Sequence, residues 1–385
     1  MKSTLVQQKF NTLFNEEATT IVRSPGRINL IGEHIDYNDG FVLPASIDKE
    51  IVLAIAPNTI DGICTLYAAD FNDTFTFSLS NLEPTSKGWP NYVLGVIVEL
   101  NKAGYQIKPF NCVFGGNIPT GAGLSSSAAV ECGIAFALNE IFGLGLTKLQ
   151  IVQFSKQAEN NFVGVNCGIM DQFASTFGKA HHVIKLDCKS LDYEYFPFQM
   201  AGYDIVLCDT GVKHSLGDSE YNTRRQECDS AIAVLKEKYP SITSFRDVTL
   251  SQIQSITDLL PTKTIDRATY VVQEIKRVSD ASILLNKNDL EGFGQLMYQC
   301  HEGLSKLYEV SCIELDFLKN LAFESGQVTG SRMMGGGFGG CTINLVKKEN
   351  TATFIDAAII AYQEKFKKAL KTYIVAITDG TSMVG

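Results

Sequence analysis

The sequence lacks long hydrophobic runs and any sign of a secretory signal. No apolar stretch approaches the roughly 20 residues that a helix needs to cross a bilayer, and residues 1–15 lack the uninterrupted apolar core of a signal peptide. Only 19% of the residues are charged and only 10 are prolines, whereas 45% are hydrophobic, which excludes a disordered or fibrous protein. We therefore expect a cytoplasmic protein that binds no membrane.

Positive charge is also scarce. The formal net charge is −9 and the pI is about 5.2, so nothing favours binding to a nucleic-acid backbone. The densest basic run, at 365–371, lies on an amphipathic stretch and is best explained as a solvated helix face. If this chain binds an anionic ligand, the positive potential must come from helix N-termini, a bound metal ion and single Lys or Arg residues.

Paired cysteines are missing. The ten cysteines are scattered along the chain, with no C-x-x-C pair and no short clustering with histidine. This pattern argues against disulfides and zinc sites, and it favours reduced thiols in a cytoplasm.

Helix-like and strand-like segments alternate through the chain, which predicts an α+β fold with helices packed on mixed sheets. A length of 385 residues is enough for two lobes. The pattern changes after residue 188, so we place a boundary near residue 190 and expect lobes at 1–190 and 191–385, with the active site in the cleft between them. The main predicted helices are 126–142, 148–162, 170–177, 219–238, 268–286 and 290–308.

The most informative local feature is the serine loop, PTGAGLSSSAA at 119–129, which lies between a strand-like run and a long helical pattern. Glycines at 121 and 123 let a phosphate approach the backbone amides, and the start of the helix adds N–H groups with partial positive charge. The loop lacks the lysine of a Walker motif, so the P-loop class is not supported. The alternative is an ordinary loop with a serine N-cap.

A second glycine run, GGGFGG at 335–340, has the G-x-G-x-x-G spacing of dinucleotide-binding proteins. The alternating run CTINLV follows it where that motif requires a helix, which argues against a Rossmann fold. The run is then either a flexible turn or a backbone that closely approaches a substrate or a neighbouring loop.

A polar cluster lies in segment 24–48, where Arg27, Glu33, His34, Asp36 and Asn38 stand among apolar residues and glycines. Carboxylates and an imidazole can satisfy hydroxyl groups, each of which donates and accepts, so the cluster suits a ligand with many hydroxyls. The alternative for the histidine alone is a surface or capped loop residue.

Together these three segments resemble a known family. Segment 24–48 is similar to the galactokinase signature, the serine loop resembles the phosphate-binding motif of GHMP kinases, and 335–340 resembles their third glycine-rich motif, in the family's order. The resemblance implies a two-lobed GHMP kinase fold, and we expect the chain to be a monomer. It also implies an ATP-dependent sugar kinase that moves the γ-phosphate of ATP to the anomeric hydroxyl of galactose, with Mg²⁺ as cofactor.

The resemblance also implies roles for individual residues. Asp171 becomes the catalytic base, and Arg27 the cation that pairs with it and stabilises charge on the phosphoryl group. The implied magnesium ligands are Ser127 and Glu159. The implied ATP-binding residues are Gly121, Ala122, Gly123, Leu124, Ser125, Ser126 and Ser127. The implied sugar-binding residues are Glu33, His34, Ile35, Asp36, Gly168, Asp171 and Tyr221, the last within segment 214–228.

Simpler alternatives stay open for some of these residues. Asp171 could cap the helix that follows it, and Tyr221 could be a core tyrosine. Whether Asp171 removes the proton or only orients the hydroxyl is open as well, since a loose transition state needs little deprotonation. Met334 departs from the family pattern, in which a small polar residue precedes the third glycine run.

Two rival functions remain at this point. A kinase of a related sugar such as N-acetylgalactosamine would use the same chemistry with a slightly larger pocket. A non-catalytic galactose and ATP sensor would keep the fold, but such proteins are damaged in the serine loop, which is intact here. Mevalonate and homoserine kinases are less favoured, because the cluster GEHIDYNDG at 32–40 offers carboxylates where those substrates carry their own.

Overall fold

The structure, a computed structural model, describes residues 3–59, 62–198, 200–212 and 217–384. Residues 214–216, which begin the predicted tyrosine segment, lie outside that range. The described part of the chain mixes helices with three sheets, which confirms the α+β prediction. All ten cysteines are free, as predicted. No helix in the described ranges is long and apolar enough to span a membrane.

The helices follow the predicted periodicity closely, and α3 begins and ends at the predicted residues. The helix predicted at 148–162 ends earlier, at Ala158, and continues as a single π-helical turn over Glu159–Val163. The helices are α1 Ser3–Phe14, α2 Pro90–Lys102, α3 Ser126–Phe142, α4 Lys148–Ala158, α5 Met170–Phe177, α6 Gly217–Lys238, α7 Leu250–Gln254, α8 Thr262–Asn286, α9 Leu290–Lys306, α10 Ile313–Glu324 and α11 Thr351–Phe366.

The strands form sheets of six, four and three, with strand orders β13-β1-β3-β6-β4-β5, β10-β11-β9-β12 and β2-β7-β8. Their bounds are β1 Thr20–Asn29, β2 Phe41–Val42, β3 Pro44–Pro57, β4 Ile63–Ala68, β5 Asp73–Ser78, β6 Phe110–Gly116, β7 His182–Asp187, β8 Tyr193–Pro197, β9 Tyr203–Asp209, β10 Val328–Met333, β11 Cys341–Lys347, β12 Lys371–Val375 and β13 Ser382–Met383.

Packing brings the three sequence motifs to one seam. Helices α3 and α5 cover β1, whereas α9 and α10 cover β10. The second glycine run lies in the loop that connects β10 to the antiparallel β11, and so it begins no helix. The first strand after the boundary predicted near residue 190, β8, pairs back with β7, whereas the next strand, β9, pairs with β11 and β12. The last described strand, β13, returns to pair with β1. The boundary itself stays a prediction.

Candidate active site

A cavity of about 140 Å³ lies at this seam, and we call it the inner cavity. It collects side chains from both halves of the sequence, including every predicted sugar-binding residue except Ile35. The side chain of Ile35 is buried outside the cavity, and its carbonyl accepts hydrogen bonds from the next turn. The lining residues are Arg27, Glu33, His34, Asp36, Glu159, Val165, Cys167, Gly168, Met170, Asp171, Tyr221, Gly335 and Gly336.

Arg27 and Asp171 form a two-pronged ion pair at the wall of the inner cavity. Arg27 Nε donates to Asp171 Oδ1 at 2.7 Å, and Nη2 donates to Oδ2 at 2.8 Å. The third guanidinium nitrogen donates to the carbonyl of Gly123, so one side chain ties the carboxylate to the serine loop. Asp171 lies in the first turn of α5, but Ile169 holds the N-cap position and no side-chain capping bond forms. The structure thus places Asp171 against Arg27 and gives it no capping role.

The serine loop has the geometry of an anion cradle. Gly121 and Gly123 have φ angles of 80° and 74°, and Ser125 also lies in the left-handed region at 56°. Although Ser125 occupies the N-cap position of α3, its hydroxyl donates to Asp171 and caps no helix amide. The backbone N–H groups in the first turn of α3 are therefore available to donate to a ligand, and the oxygens of a phosphate are suited to accept from them.

The second glycine run packs directly on this loop. A Cβ on Gly335 would lie 3.2 Å from the carbonyl oxygen of Gly123, and one on Gly340 would lie 3.6 Å from Ala122. Of the readings left open for this run, close approach to a neighbouring loop is the one observed.

The carboxylate of Glu33 is held by protein donors on both oxygens. Asn29 Nδ2 donates to Oε2 at 2.7 Å, the N–H of Gly335 donates to Oε1 at 2.7 Å, and Arg332 donates to Oε1 at 3.1 Å. Arg332 is fully buried and also donates to the carbonyl of Leu30 at 2.8 Å. Sequence reasoning missed Arg332, although a basic residue inside a buried strand was a signal that it needed a partner.

His34 is a neutral imidazole in a fixed orientation. Its Nε2 donates to the carbonyl of Gly336 at 3.1 Å, so Nδ1 accepts from the Tyr37 hydroxyl at 2.8 Å. Burial lowers the pKa of His34 to about 4. The ring also lies 5.2 Å from that of Tyr221, centroid to centroid. Together the two rings form an aromatic wall of the inner cavity.

The carboxylate of Asp36 lies directly against the backbone of Gly168. A Cβ added to Gly168 would lie 1.8 Å from Asp36 Oδ2, so this close approach requires glycine. Burial raises the pKa of Asp36 to about 6, and the charges of Asp171 and Glu33 add to the shift. Asp36 is therefore a carboxylate that titrates near neutral pH inside a polar cavity.

Glu159 and Ser127 provide oxygen ligands beside the serine loop. Glu159 lies in the π-helical turn and accepts from Gln172 Nε2 at 2.7 Å, and the nearby Ser127 hydroxyl acts to lower its pKa. Burial, followed by the charge of Asp171, raises the pKa of Glu159 to about 7. The fully buried Glu131 lies behind it, within 3.2 Å of the same Gln172 nitrogen. A hydroxyl and a charge-crowded carboxylate fit Mg²⁺, which takes only a few protein oxygens.

A more apolar cavity of about 330 Å³ adjoins the other side of the serine loop, and we call it the aromatic cavity. Sequence reasoning missed it, because its residues come from strands, loops and a helix spread over 51–130. A flat heteroaromatic ring fits between such side chains. Its lining residues are Ile51, Asp70, Phe71, Gly88, Trp89, Tyr92, Phe114, Ile118, Thr120, Ser126, Ser127 and Val130.

Three family models match the chain. The model of the galactokinase galactose-binding signature covers residues 8–57, that of the GHMP kinases N terminal domain covers 91–179, and that of the GHMP kinases C terminal region covers 281–364. The first contains the polar cluster, the second contains the serine loop and Asp171, and the third contains the second glycine run.

Several galactokinases match nearly the whole chain. The galactokinase of Thermosipho africanus is 43% identical over 94% of this chain and 99% of its own, and that of Clostridium acetobutylicum is 42% identical over 99% and 98%. The crystal structure of Lactococcus lactis galactokinase complexed with galactose superposes with a TM-score of 0.95 at 36% identity, covering 99% of both chains. A mevalonate kinase at 17% identity and a TM-score of 0.66 shares the fold alone.

Proposed function

The chain belongs to the galactokinase family of GHMP kinases, and from this membership we propose that it transfers the γ-phosphoryl group of ATP to the anomeric hydroxyl of galactose, giving galactose 1-phosphate and ADP. The observation that carries the proposal is the Arg27–Asp171 pair, which lies between the inner cavity and the serine loop. A sugar hydroxyl bound on the inner-cavity side of this pair and a triphosphate bound on the serine-loop side would meet at the pair. Cytoplasmic location and a monomeric state stay predictions.

We propose that the sugar occupies the inner cavity, with its anomeric hydroxyl at Asp171. Asp36, the amide of Gly168, His34 and Tyr221 would then contact the other hydroxyls, as would the lone pairs of Glu33 that remain. Because these polar groups are buried, a sugar that lacks one of the hydroxyls would leave its partner unpaired, which costs binding energy. Galactose selectivity follows from that cost.

For the phosphates we propose the amides of 121–127 and the N-terminus of α3. Ser127 and Glu159 would hold Mg²⁺, which when bound supplies neutralising charge to the phosphates. Arg27 would stabilise charge on the phosphoryl group in flight, while Asp171 receives the hydroxyl proton or orients the hydroxyl for in-line attack.

A panel of free sugars incubated with ATP and Mg²⁺ tests the proposal, with phosphate transfer as the readout. We expect galactose to give the highest kcat/KM. Preference for N-acetylgalactosamine would favour the related-sugar kinase instead, and binding of galactose and ATP without turnover would favour a sensor. The intact serine loop and the complete Arg27–Asp171 pair support the kinase.

Galactose affinity should fall when the pH is lowered through about 6. Ionised Asp36 accepts charge-assisted hydrogen bonds from sugar hydroxyls, and protonation near its pKa of about 6 removes them. If only the ionised form binds, the Kd rises about tenfold between pH 7 and pH 5, whereas His34, with a pKa of about 4, stays neutral. Calorimetry with galactose alone measures this.

The matched variant is Asp36→Asn, which should bind galactose weakly and lose the tenfold change in Kd between pH 7 and pH 5, because Glu159, which also titrates in this range, is not among the proposed sugar ligands. A wild-type affinity that does not change across this range would contradict the role given to Asp36.

The adenine ring should bind in the aromatic cavity, against Trp89. Since Trp89 is the single tryptophan of the chain, its fluorescence reports on this cavity alone. We expect ATP to change the emission and galactose to leave it nearly unchanged. Trp89→Ala should raise the KM for ATP about tenfold, because loss of stacking on a base costs about 1–3 kcal/mol.

The galactose KM of Trp89→Ala serves as the internal control and should not change. Unchanged fluorescence at saturating ATP, or an unchanged KM for ATP in the variant, would place the adenine elsewhere.

A further inference from the structure

A second polar cavity, of about 420 Å³, lies directly behind the inner cavity, and we call it the side cavity. Asp36 and Cys167 line both cavities. The wall between the two spaces is therefore only one layer of side chains thick at this point.

The Cys167 thiol lies within that wall. Its Sγ is 3.4 Å from Glu159 Oε2, a residue of the inner cavity, and 3.2 Å from Asn160 Oδ1, a residue of the side cavity. Asp36 is the other component of the wall, and it is held against Gly168 with no space between them. Of the two, only the thiol can be made smaller without removing a proposed sugar ligand.

We infer that Cys167 is a specificity-determining residue, whose sulfur restricts the substrate to hexoses without a substituent on the hydroxyl that faces this wall. The inference rests on the proposed function. It adds that the inner cavity is closed toward the side cavity by Cys167. Removing the sulfur would join the cavities and let a polar substituent on that hydroxyl enter the side cavity.

The side cavity is already suited to a polar group. It is lined by amide side chains from α4 and by the ammonium of Lys156, which forms no ion pair with any described residue. A hydroxyl-bearing substituent would find donors and acceptors there, so entering would not leave its polar atoms unsatisfied.

The test uses galactose and its four mono-O-(2-hydroxyethyl) ethers, at C2, C3, C4 and C6. For each, kcat/KM is divided by the value for galactose with the same enzyme, so that a general loss of activity cancels. In Cys167→Ala we expect this ratio to rise at least about tenfold for one ether, since excluding even one carbon atom is worth that much. Cys167→Gly, which opens the wall further, is measured in parallel.

Two matched variants separate size from chemistry. Cys167→Ser keeps an atom of similar size in the wall and should keep the wild-type ratios. Gln157→Trp, an exposed position of α4 that lines only the side cavity, should abolish the gain when added to Cys167→Ala.

Unchanged ratios for all four ethers in both Cys167→Ala and Cys167→Gly, with galactose still phosphorylated, would overturn the inference. The inference would also be overturned if Cys167→Ser raised the ratio for an ether as much as Cys167→Ala does. Failure of the wild-type protein to phosphorylate galactose would count instead against the proposed function, so the two failures are distinguishable.

Discussion

Replacement of Asp171 by asparagine should lower kcat about 10³-fold or more while the protein still folds and binds galactose. A positioned acid or base contributes about 10²- to 10⁴-fold to such a step, and an amide cannot accept the proton. Asparagine also cannot accept both guanidinium bonds as a charged partner, so Arg27 loses the orientation that points it at the phosphoryl group. Steady-state kinetics with saturating galactose and ATP measures the loss.

Stability needs a control in this experiment, because the side chain of Arg27 is only 5% exposed and would lose its counter-ion. Asp187→Asn breaks a comparable pair with Arg246, in which Arg246 Nη1 donates to Asp187 Oδ2 at 2.8 Å outside the inner cavity. We expect both variants to unfold at lower temperature but only Asp171→Asn to lose turnover. Near-normal kcat in Asp171→Asn would remove this residue from the mechanism.

Arg27→Lys should lower kcat/KM by about 10²-fold or more although the charge is kept. Losing one preorganised donor at a developing charge costs about 10²–10³-fold. The guanidinium donates to two oxygens of Asp171 and to the carbonyl of Gly123 at once, and an ammonium cannot reproduce that planar fork. The loop and the carboxylate would therefore lose their common anchor.

The matched control is Arg23→Lys on the same strand. Arg23 pairs with Glu50 at 2.9 Å, is partly exposed and lines neither the inner nor the aromatic cavity. Surface pairs of this kind contribute at most about 1 kcal/mol, so activity should stay close to that of the wild type. Equal activity in the two lysine variants would contradict the placement of Arg27 at the reaction centre.

Sequence reasoning predicted those parts of the molecule that depend on local pattern. The bounds of α3 follow from regular apolar spacing and from the serines before it, and the two glycine runs follow from composition. The family resemblance led us to expect Arg27, Asp171 and the serine loop together; in the structure Arg27 and Asp171 line the inner cavity, and the loop bonds to both of them without lining it. Their roles in the reaction stay predictions.

The features that escaped prediction depend on contacts between distant segments. Apart from Thr120, Ser126 and Ser127 of the serine loop, the aromatic cavity draws on single residues spread over 51–130 that belong to no motif. The role of Arg332 becomes apparent only from its contact with Glu33, which lies 299 residues away in the sequence. The π-helical turn that carries Glu159 interrupts a pattern that reads as continuous helix, because apolar spacing does not distinguish one wide turn from a regular one.

The return of β13 to β1 has a consequence for biosynthesis. Val22 and Arg23 pair with Met383 and Ser382, and the Thr381 hydroxyl bonds to Ser24. During synthesis β1 is made long before residues 381–383, so its edge is uncovered and open to wrong partners in the meantime. The six-stranded sheet, which contains β1, is thus completed only once β13 has been made, and the nascent chain must protect that edge until then.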